Sequence, residues 1–196
     1  MTSILKADEI QDSSGNLIIK EVANAITIGA SGDTITIPAG ATIVNSGTQT
    51  GFGGDNTPAF FATLGSVQSV SDYTWTKANI DTEIFDTDSC FASNKFTPNV
   101  AGKYFFFGQI FADPQTASDF NYGYAAIYKN GSFVRYSAID NRNNPGREAT
   151  VPHSCLMDMN GSSDYVELYG QVYAADGAGM RFNNNNTFFG GYKILT

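Results

Sequence analysis

The sequence predicts an all-β protein, and three observations support that prediction. Aromatic residues make up 13% of the 196 residues, almost all of them 15 Phe and 10 Tyr, and such side chains suit the pleated surface of a strand. Charged residues are only 15% of the chain, and Gly, Asn, Ser and Thr take their place. Gly and Asn supply the positive φ that tight turns need. No segment has the periodicity of an amphipathic helix.

The first 50 residues contain a nine-residue repeat of apolar side chains. Its two series are Ile10, Ile19, Ile28, Ile37 and Leu17, Ile26, Ile35, Val44. Turn-forming segments such as Ser14-Gly15-Asn16 and Pro38-Ala39-Gly40 separate the members of each series. A fixed period of short apolar pairs and turns predicts a stack of short strands.

Such a stack is too thin to bury its isoleucines within one chain, and repeats of this kind gain stability from neighbours. We therefore expect residues 1–50 to form an N-terminal anchor and a trimeric β-stalk, followed by a Gly-rich linker at residues 51–57. An ordinary β-hairpin leading into the main domain is the alternative interpretation. The residues expected at the threefold axis of the stalk are Ile26, Ile28, Ile35 and Ile37.

From residue 58 to residue 196, short aromatic segments alternate with turn formers at the spacing of a β-sandwich. Asn130-Gly131 predicts a tight hairpin, because both residues tolerate left-handed dihedral angles. The predicted strands are residues 58–65, 73–80, 103–111, 123–130, 132–139, 164–173 and 187–195.

The segment 103–111 is aromatic on both of its faces. Tyr104 and Phe106 share one face, whereas Phe105 and Phe107 share the other. A second sheet can cover only one face, and soluble monomers rarely expose a large apolar patch. We therefore expect a neighbouring subunit to cover the other face.

The stretch FTPNVAGKYFF at residues 96–106 supplies Phe96, Gly102, Tyr104 and Phe106 at the spacing of a known signature, and departs from it at Gly108. In this respect it resembles the complement globular-head family, a branch of the tumour-necrosis-factor-like jelly rolls. Four further segments resemble landmarks of that family in the right order: PAFFATLG, IYKNG, NGSSDYVELYG and TFFGGYKIL. The resemblance implies an antiparallel jelly-roll head that forms a threefold trimer, with Phe96, Tyr104 and Phe106 in core or trimer packing.

The opening MTSILKADEIQDSSGNLI resembles the starts of short structural proteins of tailed bacteriophages. It has neither the basic residues nor the apolar core of a secretory signal. The resemblance implies a virion protein that is assembled in the host cytoplasm. The expected function is that of a trimeric fibre or spike whose head attaches to the host surface without catalysis, and a capsid decoration protein that stabilises the shell is the alternative.

The charge distribution limits the expected partners. The formal net charge is −8 and the 11 Lys and Arg are scattered, whereas nucleic acids and acidic membrane surfaces attract clustered cations. We expect no nucleic acid and no membrane insertion. The expected partners are two further copies of the chain, other virion proteins bound through the stalk, and a host-surface glycan or receptor protein.

The sequence predicts no catalytic, cofactor or metal site. His153 stands beside Ser154, but neighbours on a strand point to opposite faces, so the histidine is poorly placed to activate that serine. Carboxylates gather at 81–88 and 8–12, at a spacing that matches no defined calcium loop. We interpret both groups as solvated acidic surfaces.

Two further expectations concern surface loops and thiols. The loops at residues 113–121, 141–147 and 174–186 carry the Asn and aromatic side chains suited to sugars. Cys90 and Cys155 are expected to be reduced, since cytosolic redox buffers keep thiols unpaired. The candidate host-contact residues are Tyr122, Arg142, Arg147 and Asn184.

Overall fold

The computed structural model describes residues 8–44, 46, 56–114, 120–175 and 180–194, in two compact units, Met1–Phe52 and Gly53–Thr196. Every regular element in these residues is a β-strand, so the all-β prediction is confirmed, and no helix there could span a membrane. The predicted linker lies largely outside the described residues, at 51–55.

The strands are β1 (Glu9–Gln11), β2 (Leu17–Val22), β3 (Ala25–Ile28), β4 (Ala59–Leu64), β5 (Gln68–Val70), β6 (Thr76–Lys77), β7 (Ile80–Asp86), β8 (Phe91–Ala92), β9 (Lys95–Phe96), β10 (Ala101–Pro114), β11 (Phe120–Lys129), β12 (Ser132–Asp140), β13 (Ala149–Asn160), β14 (Val166–Ala174), β15 (Met180–Phe182) and β16 (Phe188–Lys193).

The N-terminal unit contains a three-stranded antiparallel sheet in the order β1-β2-β3. Ile10 pairs with Ile19, and Ile19 pairs with Ile28. The nine-residue series is therefore a cross-strand ladder of isoleucines on one face of the sheet. Ala23 and Asn24, both at positive φ, make the tight turn that returns the chain after β2.

The strand repeat ends at Ile28, and the predicted strand around Ile35 and Ile37 is wrong. The Asp33 carboxylate accepts the backbone N–H of Ala30 at 2.7 Å, which closes a turn in place of a hairpin, and no strand follows it in residues 29–44. Ile26 is 71% exposed and Ile28 57% exposed, while Ile35 and Ile37 are also exposed. Their packing around a threefold axis stays a prediction.

The second unit is an antiparallel sandwich of two sheets. The β10 sheet has the order β5-β15-β10-β16-β4-β7, and β13 also pairs with β10. The β11 sheet has the order β12-β11-β14-β9-β8, and β6 also pairs with β14. The inward faces of the two sheets enclose one hydrophobic core.

The core is built mainly from aromatic rings. Phe96, Tyr104 and Phe106 are fully buried in it, and Phe96 stacks on Phe60 with ring centroids 4.3 Å apart. The Tyr104 hydroxyl donates to the carbonyl of Val100 at 2.7 Å, and burial raises the pKa of Tyr104 to about 12. These three side chains thus lie between the sheets of one chain.

The predicted hairpin is confirmed, because Asn130 and Gly131 have φ of 53° and 72° between β11 and β12. The predicted strand at 73–80 is largely wrong. Only Thr76–Lys77 and Ile80, the first residue of β7, pair there, and Tyr73 takes a left-handed φ of 56° that no regular strand accommodates.

Strand β13 was missed at the sequence level because Pro152 interrupts it. Within the described residues β13 pairs only with β10, so it is an edge strand. An edge position tolerates the missing N–H of proline. The polar and apolar residues of this strand also do not alternate clearly, because Pro152 and Ser154 point outward whereas the polar His153 points inward and is buried.

Both cysteines are free thiols, as expected. Cys90 is buried and Cys155 is half-buried. Burial raises the pKa of Cys155 to about 11, so this thiol stays protonated and weakly reactive at neutral pH.

We predict that Gly191→Ala destabilises the head. A Cβ at this position lies 2.4 Å from a ring carbon of the buried Phe106 and 3.1 Å from the carbonyl oxygen of Phe105. Overpacking of this kind costs about 1–3 kcal/mol. Urea unfolding at fixed protein concentration measures the loss. Gly146→Ala is the control, since its nearest neighbour is 3.5 Å away, and equal stability of the two variants would contradict the packing described.

Candidate functional site: two aromatic outer faces

The outward face of the β10 sheet is apolar, and we call it the phenylalanine face. Phe61 lies at its centre, with its ring centroid 6.3 Å from that of Phe107 and 5.4 Å from that of Phe188. Leu156 is 68% exposed on the neighbouring edge strand. The residues of the phenylalanine face are Phe61, Phe85, Phe105, Phe107, Leu156, Phe188 and Tyr192.

The outward face of the β11 sheet carries a second and larger group of rings, which we call the tyrosine platform. Each ring contacts at least one other, with centroids between 3.9 and 6.1 Å apart, so that the group forms one continuous network. Seven of the ten tyrosines and the single tryptophan of the chain belong to it. The residues of the tyrosine platform are Tyr73, Trp75, Tyr122, Tyr124, Tyr128, Phe133, Tyr136, Tyr169 and Tyr173.

Strand alternation places most of these rings. On β11, Tyr122 and Tyr124 point outward, whereas Gly123 and Ala125 point into the core. On the neighbouring strand β14, Tyr173 lies opposite Tyr122. Rings from adjacent strands therefore meet on one surface, which is how cross-strand pairs stabilise a sheet.

Tyr73 reaches the platform from a loop, in an unusual conformation. Its φ of 56° is a genuine outlier for a bulky side chain. The backbone N–H of Tyr73 donates to the carbonyl of Val172 at 3.3 Å, and the side-chain amide of Gln171 donates to the carbonyl of Tyr73. A hydrogen bond with Tyr122 raises the pKa of Tyr73. Strand β14 therefore holds this loop in place.

Charged groups at the border of the platform are paired. The guanidinium of Arg142 lies 5.6 Å from the ring centroid of Tyr122 and donates to both carboxylate oxygens of Asp140. These hydrogen bonds lower the pKa of Asp140. Lys77 pairs with Glu167 at 2.6 Å. The platform thus presents rings and hydroxyl groups beside neutralised ion pairs.

Two of the four candidate contact residues lie together on this surface, namely Tyr122 and Arg142. Arg147 is exposed in the loop after β12, and Asn184 donates to the carbonyl of Gly65 at 3.2 Å. The first two candidate loops meet through a bridge between Phe120 and Gly146. Residues 115–119 and 176–179 of the candidate loops lie outside the described residues.

Sequence reasoning missed most of the platform. The signal was present in the alternating tyrosines of YGY at 122–124 and YGQVY at 169–173. Alternation alone does not say which face of a sandwich strand is outward when both are apolar. Tyr73 and Trp75 could not be assigned to this face because they pack against strands about 50 to 100 residues later in the chain.

The surroundings of His153 do not form a catalytic triad. Its Nδ1 lies 3.0 Å from Ser137 Oγ, and its Nε2 is buried without a hydrogen-bond partner among the described residues. A serine nucleophile needs a histidine that a third group orients, and here no such group meets Nε2. Within the described part of the chain, no three His, Cys, Asp or Glu side chains lie close enough to hold a metal ion.

Comparison with solved structures identifies the fold. The globular domain of zebrafish complement 1qA protein matches with a TM-score of 0.51 at 14% identity, over 71% of this chain and 98% of that chain. Murine APRIL matches with a TM-score of 0.50 at 10% identity, over 69% of this chain and 98% of that chain. No protein-family model and no curated protein matches the sequence. The predicted antiparallel jelly-roll fold is confirmed.

We predict that acidification destabilises the head through His153. Burial lowers the pKa of this histidine below its ordinary value of 6.5. Below about pH 6.5 the unfolded chain therefore binds a proton that the folded chain does not, so stability falls as the pH decreases. Urea unfolding between pH 7.5 and 5.5 measures the slope.

The matched variant is His153→Gln, which keeps a polar side chain but does not titrate. It is expected to flatten the pH dependence, because His153 is the single histidine of the chain and carboxylates titrate mostly at lower pH. An unchanged slope in this variant would show that another group is responsible.

Proposed function

We propose that this chain is a non-catalytic structural protein of a tailed bacteriophage virion, a homotrimeric fibre or spike whose head attaches to the host surface. The observation that carries the proposal is the presence of two different aromatic faces on opposite sides of one small sandwich. One face has the chemistry of a permanent contact between subunits, and the other has the chemistry of a reversible binding surface.

The phenylalanine face supports the trimer. Its side chains carry almost no polar atoms, and obligate interfaces between subunits are the most apolar ones. Phe85 and Leu156 are about half exposed or more in the single chain. Covering the exposed part of each such side chain contributes about 1–2 kcal/mol. The resemblance to heads that form threefold trimers agrees with this use of the face.

The N-terminal unit supports a second contact between copies. The isoleucine ladder of Ile10, Ile19 and Ile28 stays exposed on a three-stranded sheet. Within residues 8–44 no other strand covers this face. We propose that the same unit of two further chains covers it, and that this stalk joins the head to other virion proteins.

The tyrosine platform favours attachment over capsid decoration. A decoration protein needs contacts with the shell and with its own copies, whereas the platform is a further surface that neither contact requires. The likeness of the first 18 residues to phage structural proteins supports a virion location.

We predict a trimer with three times the chain mass of 21.0 kDa, which Leu156→Asp dissociates. Because Leu156 is 68% exposed in one chain, the substitution leaves the fold of the single head intact but places a charge in the proposed interface. Light scattering on dilute protein measures the mass. Val67→Asp changes another exposed apolar residue outside the face and serves as control. A monomeric wild type, or a trimer that tolerates Leu156→Asp, would contradict the proposed interface.

We predict that the fluorescently labelled full chain binds intact host cells. Flow cytometry measures binding, and a heat-unfolded sample is the control. If the chain binds purified capsids and ignores host cells, the protein is a decoration protein. Release of reducing sugar from the cell surface would show that the head is an enzyme, and the non-catalytic proposal would fail.

A further inference from the structure

We propose that the tyrosine platform is a carbohydrate-binding site that takes uncharged pyranose chains by stacking them on its rings. The inference rests on the proposed attachment function and specifies its ligand. Four observations support it: the rings are exposed, most of them have hydroxyl groups, the neighbouring charges are paired, and the surface is rigid.

The rings are accessible in the folded chain. Tyr73 is 56% exposed, Phe133 48% and Tyr136 53%, while the other members of the platform are half-buried. Soluble proteins rarely expose a continuous apolar patch unless it binds something. The platform therefore combines six half-buried rings with three more exposed rings.

The ring chemistry selects the kind of ligand. Seven of the nine platform residues are tyrosines and one is tryptophan, so eight of the nine rings carry a hydrogen-bonding group. A tyrosine offers an apolar ring face and a polar tip at the same place. A pyranose has the matching character, since its C–H groups form an apolar face and its hydroxyl groups lie around the edge. Of the residues of the phenylalanine face only Tyr192 carries such a polar tip, so this face suits a dry contact with another copy.

The charges around the platform favour an uncharged sugar. Arg142 is engaged by Asp140, and Lys77 is engaged by Glu167. A phosphate or carboxylate on the ligand would have to displace one of these partners. The net charge of −8 also repels anionic polysaccharides.

The platform is organised before a ligand arrives. The rings pack against one another in one network, with Tyr128 stacked on Tyr169 at 3.9 Å. Tyr73 is held in its left-handed conformation by backbone and side-chain hydrogen bonds from β14. Strained conformations of this kind concentrate at ligand sites. Rigid rings lose little conformational entropy on binding, which raises affinity.

The chain contains its own reporter of this site. Trp75 is the single tryptophan, and its ring contacts Tyr124, Tyr128 and Phe133 inside the platform. Fluorescence excited at wavelengths where tyrosine does not absorb therefore comes from Trp75 and reports on the platform. The probes are uncharged hexasaccharides of β-1,4-glucose, β-1,3-glucose, β-1,4-galactose and α-1,6-mannose, with heparin as the anionic comparison.

The expected result is a saturable change in Trp75 fluorescence with at least one uncharged hexasaccharide and none with heparin. Tyr136→Ala and Phe133→Ala should each weaken that binding by about fivefold or more, with only a small decrease in melting temperature because both side chains are about half exposed. Val67→Ala is the control, since Val67 is an exposed apolar residue that does not belong to the platform and its substitution should leave binding unchanged.

Three results would overturn the inference. The first is no response to any uncharged hexasaccharide at millimolar concentration, or a response to heparin alone. The second is unchanged affinity in both Tyr136→Ala and Phe133→Ala. The third is a smaller particle mass in these variants, which would show that a second copy of the chain occupies the platform.

Binding to host cells separates this inference from the proposed function. If the full chain binds cells and both platform variants bind equally well, attachment holds and the platform assignment fails. If binding to cells is lost after protease treatment but survives periodate oxidation of the surface sugars, the receptor is a protein and the carbohydrate inference fails. If hexasaccharides bind but host cells do not, the site is correct and the attachment function is wrong.

Discussion

The alternation of aromatic side chains along β10 is the constraint on which the head depends. Tyr104 and Phe106 enter the core, while Phe105 and Phe107 point away from it. A strand that is apolar on both faces is stable only when both faces are covered. The β11 sheet covers the first face, and the proposed neighbouring subunits cover the second face. The jelly-roll fold and the proposed trimer are therefore two consequences of one strand.

The β11 sheet follows the same design with a different chemistry. Its inward side chains, such as Ile127 and Leu168, complete the core, and its outward side chains are mostly tyrosines. In the proposed function, the phenylalanine face is the side for other copies and the tyrosine platform is the side for a polar ligand. A trimer built on the first side presents three copies of the second, and linked sites raise the avidity for a repetitive surface beyond that of one site.

The N-terminal unit also has an apolar sheet face that requires a cover, although its sheet is smaller. A three-stranded sheet has no second layer within residues 8–44, so the ladder through Ile19 has no cover in its own unit. A small sheet with one exposed apolar face is marginally stable alone. The proposed association with the same unit of two further chains would add the missing layer over these exposed isoleucines.

The sequence by itself determined what depends on neighbours along the chain. Strand alternation placed Tyr104 and Phe106 together on one face of their strand, and the turn chemistry of Asn130-Gly131 located a hairpin. The nine-residue period identified a ladder as far as Ile28. Only the tertiary structure decided what depends on distant strands: that Pro152 lies on an edge, and that Tyr73 and Trp75 join the rings of β11, β12 and β14. The pairing of strands far apart in sequence sets these contacts, and no local pattern of residues encodes which strand becomes the partner.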